Sequence, residues 1–454
     1  MQQYVYRWAA RVAHRLPLVS GKLGRSLAGR RRAAGHWVDW AARHRTTAPL
    51  VWVHGASVGE ALTAQPVVAR LRSTLRDVQV IHTHTSPSVE RWPAPLLAEA
   101  TDYAPLDEPE SVARVLDALR PSLLAFSRGD LWPELVTAAH ARGVPVAVLG
   151  ATVRPGSRRR HPILRPLYAA VHGAVSWLGA VSASDGSRWA ELGVPRDAVE
   201  VTGDPRHDHV LERVTRVQPL GSLLPWAECG PTMVAGSTEP ADHPILLAAA
   251  RTVLSEHPHA RLLLVPHDPS RRALSRLRRR WRRGGLDVVS WPETDPGPQC
   301  RVVAVSARGL LYDLYALGWV AYVGGGFRAG RLHSVVEPAA YGLPVAVGPA
   351  WQDTADAATL VEWGGVRPLP RRGAAQALAC VWHRWIADEN DRRRAGLAAR
   401  RALDAGAAAK TARALLRLLA IAGGEAEGSE RGPGRVPCGA PHAAAPSAPP
   451  TARR

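Results

Sequence analysis

The sequence predicts an α/β protein built from two Rossmann-like domains that face each other across a cleft. Three observations predict it. The chain has 454 residues, 46% of them apolar, which is too long for one compact core and too apolar to lack one. Short valine-rich runs recur along it, each followed by a glycine or small-residue turn and a helix-period segment, the pattern of βα units and a parallel sheet. The runs fall into two series of similar length with a Pro- and Gly-containing stretch between them.

Taken in order, residues 1–20 interleave Tyr4, Val5, Tyr6, Trp8, Val12, Leu16 and Leu18 with Arg7, Arg11 and Arg15. Arginines four apart share a helical face, so this segment is expected to be an amphipathic helix lying at a membrane surface. It has no apolar stretch and small-residue cleavage site of a secretory signal. Residues 21–210 form the first domain, with strands expected at 50–54, 78–83, 123–127, 144–149 and 199–202. Residues 211–229, with Pro219, Gly221 and Pro225, are expected to be a linker. The second domain, 230–422, has strands expected at 232–235, 262–265, 302–305, 320–323 and 345–347. Residues 423–454 are rich in Gly, Ala, Pro and Ser and are expected to be a disordered tail.

Composition removes several classes. The four cysteines, Cys229, Cys300, Cys380 and Cys438, are far apart and form no zinc or redox motif. No stretch reaches the ~18 to 20 apolar residues of a spanning helix. Lys+Arg 58 against Asp+Glu 39 gives a formal charge of +19, and Lys22 and Lys410 are the only lysines. Such an excess of arginine suits both a compositional bias and attraction to a polyanion. Without a recognisable motif or a basic platform interleaved with aromatics, no nucleic-acid partner is expected.

Three turns carry residues suited to chemistry. The first strand runs into His54-Gly55-Ala56-Ser57-Val58-Gly59-Glu60. A carboxylate in the first turn of a helix is stabilised by the dipole, so Glu60 is expected to stay ionised and to accept a proton. In the second half Gly236-Ser237-Thr238-Glu239-Pro240 places two hydroxyls and free N–H groups at a strand-to-helix turn, where a phosphate is well held. Gly324, Gly325 and Gly326 follow a further strand, with His333 and Glu337 shortly beyond.

Together these residues resemble the 3-deoxy-D-manno-octulosonic acid (Kdo) transferases of lipopolysaccharide synthesis, which have the GT-B glycosyltransferase fold. The landmarks, in the family's order, are Ser57-Val58-Gly59-Glu60, Leu131-Trp132-Pro133, Val201-Thr202-Gly203, Gly236-Ser237-Thr238, Val323-Gly324-Gly325, and His333 with Glu337-Pro338-Ala339-Ala340. The resemblance implies inverting transfer of Kdo from CMP-Kdo to a lipid A precursor (lipid IVA) at the cytoplasmic side of the inner membrane, with an anionic membrane surface as a partner and no cofactor. It makes Glu60 the general base and Arg206 the cation that stabilises the transition state, in the place of a family lysine. It assigns donor contacts to Ser237, Thr238, Pro266, His267, Arg308, Gly309, Leu310, Leu311, Gly325, Gly326, His333, Ser334, Val335, Val336 and Glu337, the last through the ribose.

The chain also departs from the family. Arg128-Gly129-Asp130 stands where Glu-Thr-Glu is usual, so a cation replaces one carboxylate of the expected catalytic group while Asp130 remains. Pro266-His267-Asp268 stands for Pro-Arg-His, Leu310 for a Glu, and Ser334 for an Asn. These changes leave open a GT-B transferase with another sugar nucleotide, or a binding protein that has lost catalysis. Hard cations need clustered oxygen ligands, and the chain has no Asp-x-Asp, so no metal is expected.

Overall fold

A computed structural model describes residues 21–91, 97–153, 157, 165–216, 220–330 and 332–429. The amphipathic segment expected at 1–20 lies outside the described residues, as does the chain beyond Ser429.

Two seven-stranded sheets, both parallel throughout, form the frame. The first contains β1 (Leu50–His54), β2 (Gln79–His84), β3 (Ala100–Tyr103), β4 (Leu123–Ser127), β5 (Val146–Ala151), β6 (Trp177–Ala180) and β7 (Val199–Val201), in the order β3-β2-β1-β4-β5-β6-β7. The second contains β8 (Thr232–Thr238), β9 (Arg261–Pro266), β10 (Val289–Trp291), β11 (Val302–Val305), β12 (Val320–Val323), β13 (Val345–Val347) and β14 (Val366–Pro368), in the order β10-β11-β9-β8-β12-β13-β14. β1, β4, β8 and β12 are buried along nearly their whole length, which is why they read as continuous apolar runs and not as alternating ones.

Each sheet carries a hydrophobic core on both faces. On one side of the first sheet, Trp37, Val115, Leu119 and Trp189 pack against Trp52, Leu124 and Phe126. On the other, Ala64, Val67 and Leu71 of the helix Val58–Thr74 pack against Val51, Val53 and Leu123. Ala408, Ala412, Leu415 and Leu419 of the last helix, Ala407–Ser429, belong to that same cluster. The chain therefore ends by crossing back onto the first sheet. Asp208 fixes this return by accepting the N–H groups of Gly406 (2.7 Å) and Ala408 (2.8 Å). This last helix continues through residues expected to begin the tail.

The stretch 211–229 has more structure than a linker. It holds the end of the helix Pro205–Arg213 and the helix Leu223–Glu228, and Leu220, Leu223, Trp226 and Ala227 enter the second core. Trp226 is anchored there by its indole N–H, which donates to the Cys300 carbonyl at 2.7 Å.

In doubly wound sheets a ligand crevice opens where the strand order reverses, at the carboxyl ends of the strands. The first sheet reverses between β1 and β4, and the second between β8 and β12. The carboxyl ends of these four strands and the turns that follow them carry Glu60, Arg128 and Asp130 in the first half, and Ser237, Thr238, Gly325 and Gly326 in the second.

Candidate functional site

Ser57 caps the helix Val58–Thr74 in extended conformation, and Glu60 lies in its first turn. The Glu60 side chain folds back so that Oε2 accepts the Ala56 N–H at 2.6 Å. The dipole argument alone places this carboxyl low. Burial instead raises its pKa above the ordinary value, with Asp130 adding to the rise and the Ala56 N–H, Arg128 and the Ser57 N–H opposing it. A half-buried carboxylate with a raised pKa is a better proton acceptor than an exposed one.

Arg128 is the first residue after β4 and has φ 66°, a left-handed conformation that costs a non-glycine residue energy and concentrates at functional sites. Gly129 follows at φ 102°, and a Cβ there would come within 2.5 Å of the Trp189 ring. The Arg128 guanidinium turns to Asp204, Nη2 to Oδ2 at 2.6 Å, and also donates to the Gly150 carbonyl at 3.3 Å. It thus neutralises a buried carboxylate supplied from another part of the chain.

Asp204 is 1% exposed and caps the helix Pro205–Arg213, accepting the Arg206 N–H at 2.9 Å. It also accepts the Arg206 side chain, from Nε at 3.1 Å and Nη2 at 2.8 Å. Burial alone would raise its pKa, but the two guanidiniums outweigh it and hold the carboxyl well below the usual range. From Arg206 the network crosses to the second half: Nη2 lies 2.8 Å from Asp356 Oδ2 on the helix Ala355–Glu362. His207 Nε2 lies 3.5 Å from the other Asp356 oxygen. Burial raises the Glu337 carboxyl, while the Ser334 hydroxyl, its own backbone N–H and the charge of Arg206 oppose the rise. Glu60, Arg128, Asp204, Arg206, Asp356 and Glu337 form one electrostatic sequence running from one half into the other.

The second half presents tightly tied loops. Asp242, fully buried, accepts the Glu239 N–H at 2.7 Å, the Gly325 N–H at 3.0 Å and the Tyr322 hydroxyl at 2.8 Å. His267 N–H donates to the Thr238 carbonyl at 3.0 Å, and His333 N–H to the Gly324 carbonyl at 3.2 Å. Ser237 has φ 50°, and a Cβ on Gly324 would meet its carbonyl at 2.4 Å. The His267 and His333 rings stack at 4.5 Å, with His333 Nε2 3.4 Å from Glu239 Oε1. Burial and the neighbouring His267 lower the pKa of His333. Arg308 is exposed and 3.7 Å from Asp268. Gly309 has φ 82° and precedes Leu310 and Leu311, which pack partly against the second core. Pro266 ends β9, Ser334 is exposed, and Val335 and Val336 are buried in the second core.

The sequence of the chain matches a known family over most of its length. The family model described as 3-Deoxy-D-manno-octulosonic-acid transferase (kdotransferase) matches residues 29–209. The 3-deoxy-D-manno-octulosonic acid transferase of Bordetella pertussis is 30% identical over 409 residues, covering 85% of this chain and 92% of its own. The chain belongs to the 3-deoxy-D-manno-octulosonic acid transferase family. The Haemophilus influenzae transferase of the same name is 26% identical over 66% of this chain and 70% of its own. Among solved structures, a UDP-GlcNAc 2-epimerase from Neisseria meningitidis bound to UDP-GlcNAc, 13% identical, covers 81% of this chain and 100% of its own at a TM-score of 0.60, a likeness of fold. The fold is GT-B, and as a member of this transferase family the chain is a glycosyltransferase.

Within that family assignment, Asp204, His207, Asp242 and Asp356 are site-forming residues that sequence reasoning missed. A signal existed for two of them: Asp204-Pro205 and Asp242-His243-Pro244 are acidic residues just before a helix with proline in its first turn. Nothing local marks Asp356. Among the described residues, two groups bring three possible metal ligands together, Asp204, His207 and Asp356 in the crevice and Glu256, His257 and His383 on the surface. In the first, Arg206 already sits between the two carboxylates. Among the described residues no helix is long and apolar enough to cross a membrane.

Proposed function

We propose that this transferase moves Kdo from CMP-Kdo to a lipid A precursor, lipid IVA, at the cytoplasmic face of the inner membrane, with Glu60 as general base. The observation that carries the proposal is the position of Glu60: a half-buried carboxyl with raised pKa, on the loop at the switch point of the first sheet and linked through Arg128, Asp204 and Arg206 to the second half. Glu60 takes the proton of the acceptor hydroxyl as its oxygen attacks the anomeric carbon. The bond to CMP breaks, CMP carries away the electron pair, and the configuration inverts. Asp130 keeps Glu60 basic, and Arg206 supplies positive charge beside Glu337.

On this reading the nucleotide is held by the loops that Asp242 ties together, through backbone N–H groups, Ser237, Thr238, His267, Arg308–Leu311, His333 and Ser334, with Glu337 at the ribose. N–H groups and nearby arginines support the leaving phosphate without a metal. Incubation with CMP-Kdo and tetraacylated lipid IVA, followed by mass analysis, is expected to give a Kdo-lipid product, unaffected by EDTA. Absence of that product together with turnover of another sugar nucleotide would end the assignment.

One observation favours a second reading. The stacked His267 and His333 rings offer an aromatic surface where the family resemblance places a permanent cation, which suits a donor other than CMP-Kdo. Greater thermal stabilisation by UDP or GDP than by CMP would select it.

A further inference from the structure

The helix Arg271–Arg283 follows β9 and the donor-loop residue His267, and it holds eight arginines in thirteen residues. Its buried side chains are Leu274, Leu277 and Trp281, which pack into the core of the second sheet. At 100° per residue these three define the inward stripe, and Arg272, Arg276, Arg279 and Arg283 fall directly opposite it. All four are exposed. The outward ridge of the helix is therefore arginine at every position i, i+4, i+7 and i+11.

A second arginine-rich helix provides an internal comparison. In Glu389–Arg401 three of the five arginines have a carboxylate on the same helix: Arg393 lies 2.6 Å and Arg392 4.0 Å from Glu389, and Arg394 pairs with Asp391. On Arg271–Arg283 the only side-chain partners among the described residues are the exposed Asp287 for Arg282 (3.2 Å) and the Val288 carbonyl for Arg278 (3.2 Å). Like charges at i and i+4, here 272/276, 276/280, 278/282 and 279/283, weaken a helix. A compositional bias toward arginine explains the frequency of the residue; it does not explain why one helix supplies carboxylates to most of its arginines and the other, with no acidic residue of its own, is left to repel itself.

We propose that the ridge Arg272, Arg276, Arg279 and Arg283 is a docking surface for an anionic lipid bilayer. It rests on the proposed lipid acceptor, because an enzyme drawing its acceptor from a bilayer gains from a second cationic contact beside the donor loops. The chemistry suits lipid phosphates more than nucleic acid. The ridge is a convex row of guanidiniums, each able to hold a phosphate bidentately. It exposes no aromatic side chain on which a base would stack, since Trp281 is buried. Adsorption is electrostatic and shallow, as no apolar side chain projects from this face.

The test uses the full chain and vesicles of phosphatidylcholine alone or mixed equally with phosphatidylglycerol, read by co-sedimentation. Each basic residue near an anionic surface contributes about fivefold to binding. The variant R272Q/R276Q/R279Q/R283Q is therefore expected to lose at least about tenfold in affinity for the anionic vesicles, with a melting temperature no lower than the parent's and unchanged turnover of detergent-dispersed acceptor. A charge-matched control, R371Q/R372Q/R393Q/R401Q, is expected to bind as the parent does. Equal binding by parent and ridge variant, equal loss in the control, or tighter binding of the parent to transfer RNA than to anionic vesicles would overturn the proposal. Vesicle binding reads no catalysis, so loss of the Kdo-transfer reading would show in the turnover assay alone.

Discussion

Arg206 and Asp356, 150 positions apart, meet at 2.8 Å and join the two halves of the molecule through one guanidinium. Asp204 holds the other side of that guanidinium and is itself held by Arg128. Removing one member of a buried ion pair leaves an uncompensated charge and costs about 3–5 kcal/mol. D204N, which strands two cations, is expected to fall in that range by urea unfolding. D356N leaves Arg206 with Asp204 and is expected to cost less, about 1.5–3 kcal/mol. Equal losses in the two variants would show that Asp204 is not the anchor of the network.

E60Q removes the proposed base while keeping a side chain of the same shape. Turnover is expected to fall by about 10²- to 10⁴-fold, with thermal stabilisation by CMP unchanged. A variant that keeps a tenth of the parent's turnover would point to a different base.

The pH profile tests the environment of Glu60 separately. Its pKa is raised, and it must be deprotonated to act, so the acidic limb of kcat/KM is expected above the ordinary carboxylate range, with activity lost as pH falls through it. Asp130 contributes to the rise as a like charge, so D130N is expected to move the limb to lower pH. A limb that stays in place or moves up would mean that Asp130 does not act on the group being titrated.

Much of the frame is legible in the sequence because central parallel strands are buried on both faces and spell out as continuous apolar runs. Leu50–His54, Leu123–Ser127, Val302–Val305, Val320–Val323 and Val345–Val347 are all of this kind. The strands not anticipated are Ala100–Tyr103, Trp177–Ala180, Val289–Trp291 and Val366–Pro368, each three or four residues long. Three of them lie at sheet edges, where exposed polar residues such as Thr101 and Arg367 break the apolar run. At the site, Glu60 and the glycines after β12 are announced by local turn chemistry. The Arg206–Asp356 contact and the Arg128–Asp204 pair are not, because each depends on how the halves and loops pack. From sequence alone Arg128 looks like a lost carboxylate; only the fold supplies its partner.

Acid stability offers a further measurement, through the histidines at the carboxyl end of the first sheet. Burial lowers His54 to about 3 and His82 to about 4, with neighbouring cationic or histidine side chains adding to the effect. A histidine held neutral in the folded state binds fewer protons than in the unfolded chain between its folded pKa and about 6.5, so stability is expected to fall as pH drops through that window. His82, whose two ring nitrogens are buried without a hydrogen-bond partner, contributes about 3 kcal/mol of this loss at full extent. H82L is expected to flatten the slope of unfolding free energy between pH 6.5 and 4, measured in urea. An unchanged slope would show that His82 is not the titrating group.

On the proposed function, Asp242 decides whether the loops assigned to the donor are in place before the nucleotide arrives. One of its oxygens holds the Glu239 and Gly325 N–H groups, and so joins the loop after β8 to the loop after β12; the other holds Tyr322 in the core. Burial raises the carboxyl, while these three donors oppose the rise. In D242N the amide can still accept the tyrosine hydroxyl, but its NH₂ cannot accept the two backbone N–H groups, which are left buried and unpaired. An unsatisfied buried donor costs about 1–3 kcal/mol, and ordering the loops then falls to the ligand, so CMP affinity is expected to drop about 10- to 100-fold. Because Asp242 touches no substrate on this account, kcat at saturating donor is expected to change little while KM for the donor rises. A variant that loses kcat at unchanged KM would instead place Asp242 among the groups acting on the reaction itself.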